Sequence, residues 1–484
     1  MRGREGVNSA VRSDYDVVVV GGGPGGSTLS TLVALQGHRV LLLEKEQFPR
    51  HQIGESLLPS TVHGICRLLG VADEVADAGF VKKHGGTFRW GLNAEPWSFD
   101  FSVSEKFSGP TSYAYQVERM KFDKILLDNA RSKGVDVRER CDAVDVLEED
   151  GRIRGVRYDD ADGVRREVRA EFVADASGNR SRIHKRIGGA RRYSEFFQNI
   201  AVFGYFTGGK RAPAPGSGNI TCASFDLGWF WYIPLSDELT SVGAVLRRES
   251  AERLKDGPRA KVLEGLIGEC PLIAGFLADA ERVTEGPYGE VRIRKDYSYI
   301  QERFWRPGMA LVGDAACFID PLFSSGVHLS TYSALLAARS INTALSGAIA
   351  EADCFREYET RYRREYEVFH DFLVAFYDMQ RDEHAYFREA KNITGSSATD
   401  TESFVELVGG GASDESALIS TAPSSSRKRR ADLLERSRKI HWQGSRVQVQ
   451  AIFGESMGDD ALYEGGLVES PDGMHWARPG QPAS

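Results

Sequence analysis

At 484 residues the chain exceeds one ordinary compact core, and its 41% hydrophobic and 10% aromatic content is that of a globular protein rather than a disordered one. With 61 basic against 69 acidic residues the formal charge is −8, which argues against nucleic acid or an anionic membrane as the main partner and leaves small-molecule chemistry. Six cysteines without a CxxC spacing indicate reduced structural thiols, so neither a disulfide framework nor a metal site is expected.

Tyr15 to Val20 (YDVVVV) is a β-branched run suited to a strand buried on both faces, and it breaks into GGGPGG. The helical pattern STLSTLVALQG follows, and then the apolar strand HRVLLLEKE, which contains Glu44; residues 15 to 44 therefore form a strand, Gly-rich turn, helix, strand unit. Residues 60 to 80 read as helix, residues 86 to 115 as short aromatic-rich strands, and 117 to 134 again as helix. Strand-like alternation occupies 136 to 176 and returns from 196 to 247. After VGDA at 312 to 315, residues 327 to 350 and 353 to 392 read as long helices. From about 394 the chain turns small and polar (TGSSATDTES, GGGASDES, STAPSSSRKRR), the composition of loops or linkers, and the GGG at 409 to 411 reads as linker. No run reaches the ~20 apolar residues of a membrane span. The polar start MRGREGVNSAVRSD lacks a secretory apolar core, so a soluble cytoplasmic protein is expected.

Gly21-x-Gly23-x-x-Gly26 is the first motif with chemistry. Glycine is required where the turn is tight, where backbone approaches a pyrophosphate, and where the next helix packs on its strand. The motif follows a strand and opens a helix, and Glu44 lies 18 residues beyond Gly26, in position to accept hydrogen bonds from a ribose. Far along the chain, Asp314 follows the apolar strand MALVG, a placement suited to a ribityl hydroxyl ahead of a helix N-terminus that faces a flavin ring.

Together with YQVERMKFD at 115 to 123 and DASG at 175 to 178, these motifs make residues 14 to 390 resemble the FAD-dependent aromatic hydroxylase superfamily. The resemblance implies an α/β doubly wound FAD-binding (Rossmann-type) domain with an inserted antiparallel sheet over the substrate and a helical C-terminal region. The division expected is a tail at 1–13, an FAD-binding domain at 14–350 with the β-rich part at about 86–116 and 190–295, and a helical region at 351–484. Cofactor contacts are expected from Gly21, Gly23, Gly26, Glu44, Arg50, Ser56, Arg119, Asp314, Gly326 and Val327. For Arg119 a surface salt bridge on a helix is the competing role.

Three features resemble flavin-dependent halogenases in particular. GWFWYIP at 228 to 234 carries Trp229-x-Trp231-x-Ile233-Pro234, and residues two apart on a strand face one side. GESLLP at 54 to 59, with FVKKHGG further on, resembles the segment bearing that family's essential lysine. The match selects Lys83 over Lys82, and a desolvated lysine in a Gly-flanked turn offers a hydrogen bond or a nucleophilic amine to an oxidised halogen. PLFSSGVH at 321 to 328 resembles the halide and flavin loop, with Ser325 and Gly326 offering backbone N–H groups to a halide.

Phe323 stands where halogenases of free tryptophan carry a glutamate, and the subgroup acting on substrates tethered to carrier proteins lacks that acid too. The resemblance therefore implies chlorination, or bromination, of a phenolic or tyrosyl ring borne on an acyl or peptidyl carrier protein. It also implies dioxygen and FADH2 delivered by a separate flavin reductase. His328 and Glu55 are candidate bases without a firm role. An NAD(P)H-dependent aromatic monooxygenase is the alternative, in which Lys83, Trp229 and Trp231 would be structural. The aromatic stripe at 361 to 387 reads as packed core, and the basic run at 427 to 439 as a solvated helix face or a carrier contact.

Overall fold

The computed structural model describes residues 14–93, 95–413, 415–419 and 461–479. Two sheets carry the architecture. In the first, the strands Met309–Leu311, Arg165–Asp175, Tyr15–Val20, Val40–Leu43 and Asp136–Arg138 lie side by side and parallel, with Trp305–Arg306 antiparallel at one edge. Val17 to Val19 are fully buried in the middle of this parallel sheet, which explains a strand that is apolar throughout rather than alternating. The register pairs Val20 with both Leu43 and Asp175, and Asp175 with Leu311. Gly21, Glu44, Ala176 and Val312 therefore leave the sheet at one edge, the carboxyl ends of the strands, where open α/β sheets bind ligands.

The second sheet is antiparallel over most of its width and runs in the order Cys317–Phe318, Arg292–Gln301, Arg191–Thr207, Leu239–Leu246, Gly228–Pro234, Ile220–Phe225, Gly85–Arg89 and Trp97–Asp100. Gly228–Pro234 is buried at every position, yet its two faces differ. Trp229, Trp231 and Ile233 join the large core between the sheets, whereas Phe230 and Tyr232 join a second core under the helices Arg259–Gly268 and Pro271–Phe276.

The expected strands and the helix at 117–134 are found, the latter as Arg119–Ser132. The helices at 259–268 and 271–276 were not anticipated, because their apolar residues cover a sheet face over only two or three turns. The stretch 353 to 392 is not one continuous element: Glu351–Phe376 ends, and a second helix, Glu383–Thr394, starts with the Asp382 carboxylate capping the Ala385 N–H.

The polar region after 394 also departs from expectation. Asp400–Val408 is a helix with a full capping box between Thr399 and Glu402. Gly409 to Gly411 are buried rather than linker. Gly410 has φ +78°, and a Cβ there would meet Ser60 Oγ at 2.2 Å and His328 Nδ1 at 2.8 Å. The basic run at 427 to 439 lies outside the described residues. No described helix is long and apolar enough to cross a membrane. All six cysteines are unpaired and buried, and the described residues hold no cluster of three or more His, Cys, Asp or Glu suited to a metal.

Candidate active site

A cleft lies between the carboxyl edge of the parallel sheet and the apolar face of the antiparallel sheet. It is lined by Gly21, Gly23, Glu44, Arg50, Glu55, Ser56, Arg119, Asp314, Gly326 and Val327, with Trp229 and Trp231 on the opposite wall. These residues come from six separate segments of the chain, brought together by the strand register described above.

The glycine turn is shaped from within. A Cβ on Gly26 would come within 1.9 Å of the Gly21 carbonyl oxygen, so only glycine lets the helix Pro24–Ala34 start against its strand. Gly23 instead faces the cleft, where an added Cβ would meet nothing nearer than Arg50 Nη2 at 3.6 Å. Glu44 receives N–H groups from Gly22 at 2.6 Å and Glu46 at 2.8 Å, and burial pushes its carboxyl above the ordinary range despite those donors.

Arg119 is buried, not a surface residue. Its Nε and Nη2 donate to Asp123, and its Nη1 donates to the carbonyls of Ile53 at 2.8 Å and Gly54 at 3.2 Å. Arg50 donates to the same Asp123 at 2.7 Å. Both guanidinium groups are thus pinned along the segment that carries Glu55 and Ser56. Asp314 makes no side-chain hydrogen bond among the described residues, and burial pushes its carboxyl up to about 6.

The loop from Asp320 to His328 follows. Asp320 caps Pro321–Phe323 and is held by Asn199 and by the Tyr377 hydroxyl, both at 2.9 Å, and burial pushes its carboxyl up to about 6. Tyr377 in turn accepts the Trp229 indole N–H at 2.7 Å. Ser324 adopts the left-handed conformation at φ 60°, and the helix Ser325–Ser346 begins directly after it with no side-chain cap. Its first N–H groups are available to an anion. Ser325 Oγ is buried and has no hydrogen-bond partner, while a Cβ on Gly326 would meet open space.

Lys83 does not sit in a turn. It ends the short strand Val81–Lys83, which pairs with Ala114–Gln116 and draws the side chain inward. The ammonium donates to Ser56 Oγ at 2.9 Å and to the Leu57 carbonyl at 3.1 Å, with the Phe101 ring 5.6 Å away. It stands behind Ser56, one residue removed from the cleft lining. Burial pulls its pKa from 10.5 down to about 7, so a neutral amine is accessible near neutral pH. Lys82, its neighbour, is exposed and lies over the Tyr113 ring.

Other expected residues fall outside the cleft lining. Phe323 is turned into an aromatic cluster, stacked on Phe372 at 5.1 Å and set against Phe376 at 4.8 Å, because the Asp320 cap aims the residue away from the cleft. Pro234 ends its strand beyond the lining, and Gly26 packs against Gly21 rather than facing the cleft. His328 is fully buried between Ser60 and Glu365, each at 2.9 Å, which makes it a structural tie rather than a base. Sequence reading missed Tyr377, Asn199 and Asp320, whose partnership joins segments more than 50 residues apart and leaves no local signal.

The glycine turn, the buried acid at the end of the second strand and the open Gly326 position fit an FAD in this cleft, while Ser325, fully buried with an orphaned hydroxyl, lies just behind the lining between Ser324 and Gly326. The family described as tryptophan halogenase matches residues 16–109 and 103–432. Tryptophan 2-halogenase of Chondromyces crocatus is 36% identical over 383 residues, covering 79% of this chain and 71% of that protein. The flavin-dependent halogenase gsfI of Penicillium aethiopicum is 34% identical over 385 residues, 74% of this chain and 70% of the relative. The solved structure of the myxobacterial chondrochloren halogenase CndH, a variant of FAD-dependent halogenases, is 51% identical with a TM-score of 0.76, covering 96% of this chain and 99% of that one. The chain belongs to the tryptophan-halogenase family, and it is a flavin-dependent halogenase.

Proposed function

We propose that the enzyme installs chlorine, or alternatively bromine, on an electron-rich aromatic ring, most simply a phenolic or tyrosyl group borne on a peptidyl carrier protein, with FADH2 supplied by a separate reductase. Gly21, Gly23, Glu44, Arg50, Ser56, Arg119, Asp314 and Val327 would hold the FAD, with Gly26 shaping the turn beneath it. Reduced FAD would supply two electrons to dioxygen, and the oxidising power left in the partly reduced oxygen would take two electrons from the halide. Ser325 and Gly326 would hold the halide through the free N–H groups at the start of their helix.

The observation that carries the reading is the Lys83 amine, buried against Ser56 with its pKa drawn to about 7. A neutral amine takes halogen from a hypohalous acid by exchanging N–H for N–X with release of water. Transfer of that halogen to a ring carbon is then matched by loss of the ring proton, and the amine is restored. Holding the electrophile at one place is what confers position on an otherwise unselective reagent. The tethered substrate rests on the sequence resemblance, in which position 323 lacks the acid that halogenases of free tryptophan carry; a phenol activates its own ring.

The test supplies a flavin reductase, FAD, dioxygen and chloride or bromide to the enzyme with a panel of free phenols, free tyrosine and the same groups loaded on carrier proteins, with products read by mass spectrometry. Halogenated carrier-bound phenol is the expected result. Efficient halogenation of the free amino acid alone would overturn the tethered substrate. Rapid NADPH oxidation by the enzyme without a reductase would overturn the external electron supply.

A further inference from the structure

We propose that Glu55, Tyr205 and His51 form the path by which protons enter the cleft from solvent. The need for one follows from the balance of the reaction. A halide, dioxygen, a two-electron-reduced cofactor and an aromatic C–H give a C–X bond, two waters and the oxidised cofactor only if one proton is consumed per turnover. That proton must reach a cleft walled by two tryptophans and two sheets.

A continuous set of hydrogen bonds runs there. Glu55 lines the cleft and is 2% exposed; its Oε1 is 2.8 Å from the Tyr205 hydroxyl, and its Oε2 is buried with no hydrogen-bond partner. The same hydroxyl is 2.8 Å from His51 Nε2, and the His51 imidazole is partly exposed at the far end. A hydroxyl between two groups that each accept or donate can reverse both bonds at once, which is what passing a proton requires. The segment is rigid: Val117 N–H donates to the Glu55 carbonyl at 2.7 Å, and Arg119 and Lys83 grip the carbonyls of Ile53 and Leu57 on either side.

The charges around these groups suit the role. Tyr205, Ser241, Arg119 and Glu118 face Glu55, and burial raises its carboxyl to about 7, so both protonation states are populated near neutrality. His51 is surrounded by Arg292, Arg294, Arg50 and Arg119, and burial first, then these cations, lower it to about 4. It therefore stays neutral, able to accept on one ring nitrogen and donate from the other. Tyr288 packs against Tyr205 with ring centroids 4.5 Å apart and donates its hydroxyl to Glu118 at 2.8 Å, leaving the Tyr205 hydroxyl to the relay.

The inference rests on the halogenase assignment but on neither the Lys83 role nor the substrate. One test therefore does not depend on turnover: infrared difference spectra of the enzyme across neutral pH should show a protonated-carboxyl band that titrates near pH 7, is absent in Glu55→Gln and moves in Tyr205→Phe. In turnover, Glu55→Gln should lower halide-dependent product formation by about 100-fold, within the range of proton-transfer groups, while FAD binding and thermal stability persist. His51→Ala should recover activity on addition of imidazole, a response that a merely structural histidine would not give. A folded, FAD-binding Glu55→Gln enzyme with the parent rate and pH profile would overturn the proposal, as would a carboxyl band unaffected by that substitution. Loss of all halogenation in the unmodified enzyme, with the band still titrating and assigned to Glu55, would instead count against the halogenase reading.

Discussion

Folding deprives the Lys83 ammonium of water. The folded pKa of Lys83, about 7, lies below the ordinary lysine value of 10.5, and the sign of the consequence is opposite to that of a lysine gaining a partner. Between these two values the unfolded chain keeps a proton that the folded amine has lost, so stability from this group rises with pH, by up to about 1.4 kcal/mol per unit. Lys83→Met removes the titration. Urea denaturation between about pH 7 and pH 9 should show the parent gaining on that variant as pH rises, and a constant difference would mean that the amine is not desolvated. Lys82→Ala, which removes only an exposed charge beside Tyr113, should change stability by less than about 0.5 kcal/mol and leave halogenation intact. The identity of Lys83 was legible in the sequence only through its family motif. Its desolvation was expected, but in a turn; the strand Ala114–Gln116 that draws it inward was not legible, because it is remote in the chain and too short to mark itself.

At the scale of elements, the two helices that open onto the cleft use glycine for different reasons. Gly26→Ala forces a Cβ against the Gly21 carbonyl and should destabilise the protein by about 1–3 kcal/mol. Gly326→Ala has room within the protein and replaces glycine in a helix, so thermal melts should show no loss of stability. The added methyl projects toward the cleft, however, and should weaken halide or FAD binding by roughly tenfold, about 1.4 kcal/mol. Retained affinity in Gly326→Ala would remove that position from the site. The first βαβ unit was readable because its three signals, an apolar strand, the glycine spacing and Glu44, are contiguous. That Trp229 and Trp231 share a face was readable from period-two alternation, whereas their place in the site wall was readable only from the family motif. What sequence could not show is that Phe323 points away from the cleft, since its direction is set by the cap from Asp320 and the grip of Asn199 and Tyr377. Gly409 to Gly411 misled for a related reason: a glycine run that permits close packing on Phe107, Ser60 and His328 has the same composition as a linker.

Across the whole molecule, the last described residues are tied to the cleft helix from behind. Arg339, fully buried in Ser325–Ser346, donates to both carboxylate oxygens of Glu415 at 2.7 and 2.9 Å, to Glu469 at 3.1 Å and to the Gly473 carbonyl at 2.6 Å. Burial raises the Glu415 carboxyl, but Arg339 more than reverses this and holds it at about 2. Arg339→Met would strand that carboxylate and should cost about 3–5 kcal/mol in chemical denaturation. A loss below about 1 kcal/mol would mean that residues 461–479 add little to the fold. Because the other end of this helix carries Ser325 and Gly326, the clamp fixes the axis on which its uncapped first N–H groups lie.

The central claim, that the buried amine of Lys83 handles the halogen after it has been oxidised in the cleft, is tested most directly by the Lys83→Met enzyme supplied with reductase, FAD, dioxygen and halide. Halogenated product is measured by mass spectrometry beside FAD affinity and the rate at which reduced flavin is consumed. FAD affinity and flavin oxidation are expected near the parent values, with product lost by at least about a thousandfold, within the range that positioning contributes. Product formed at near the parent rate, or lost only in proportion to lost FAD, would contradict it.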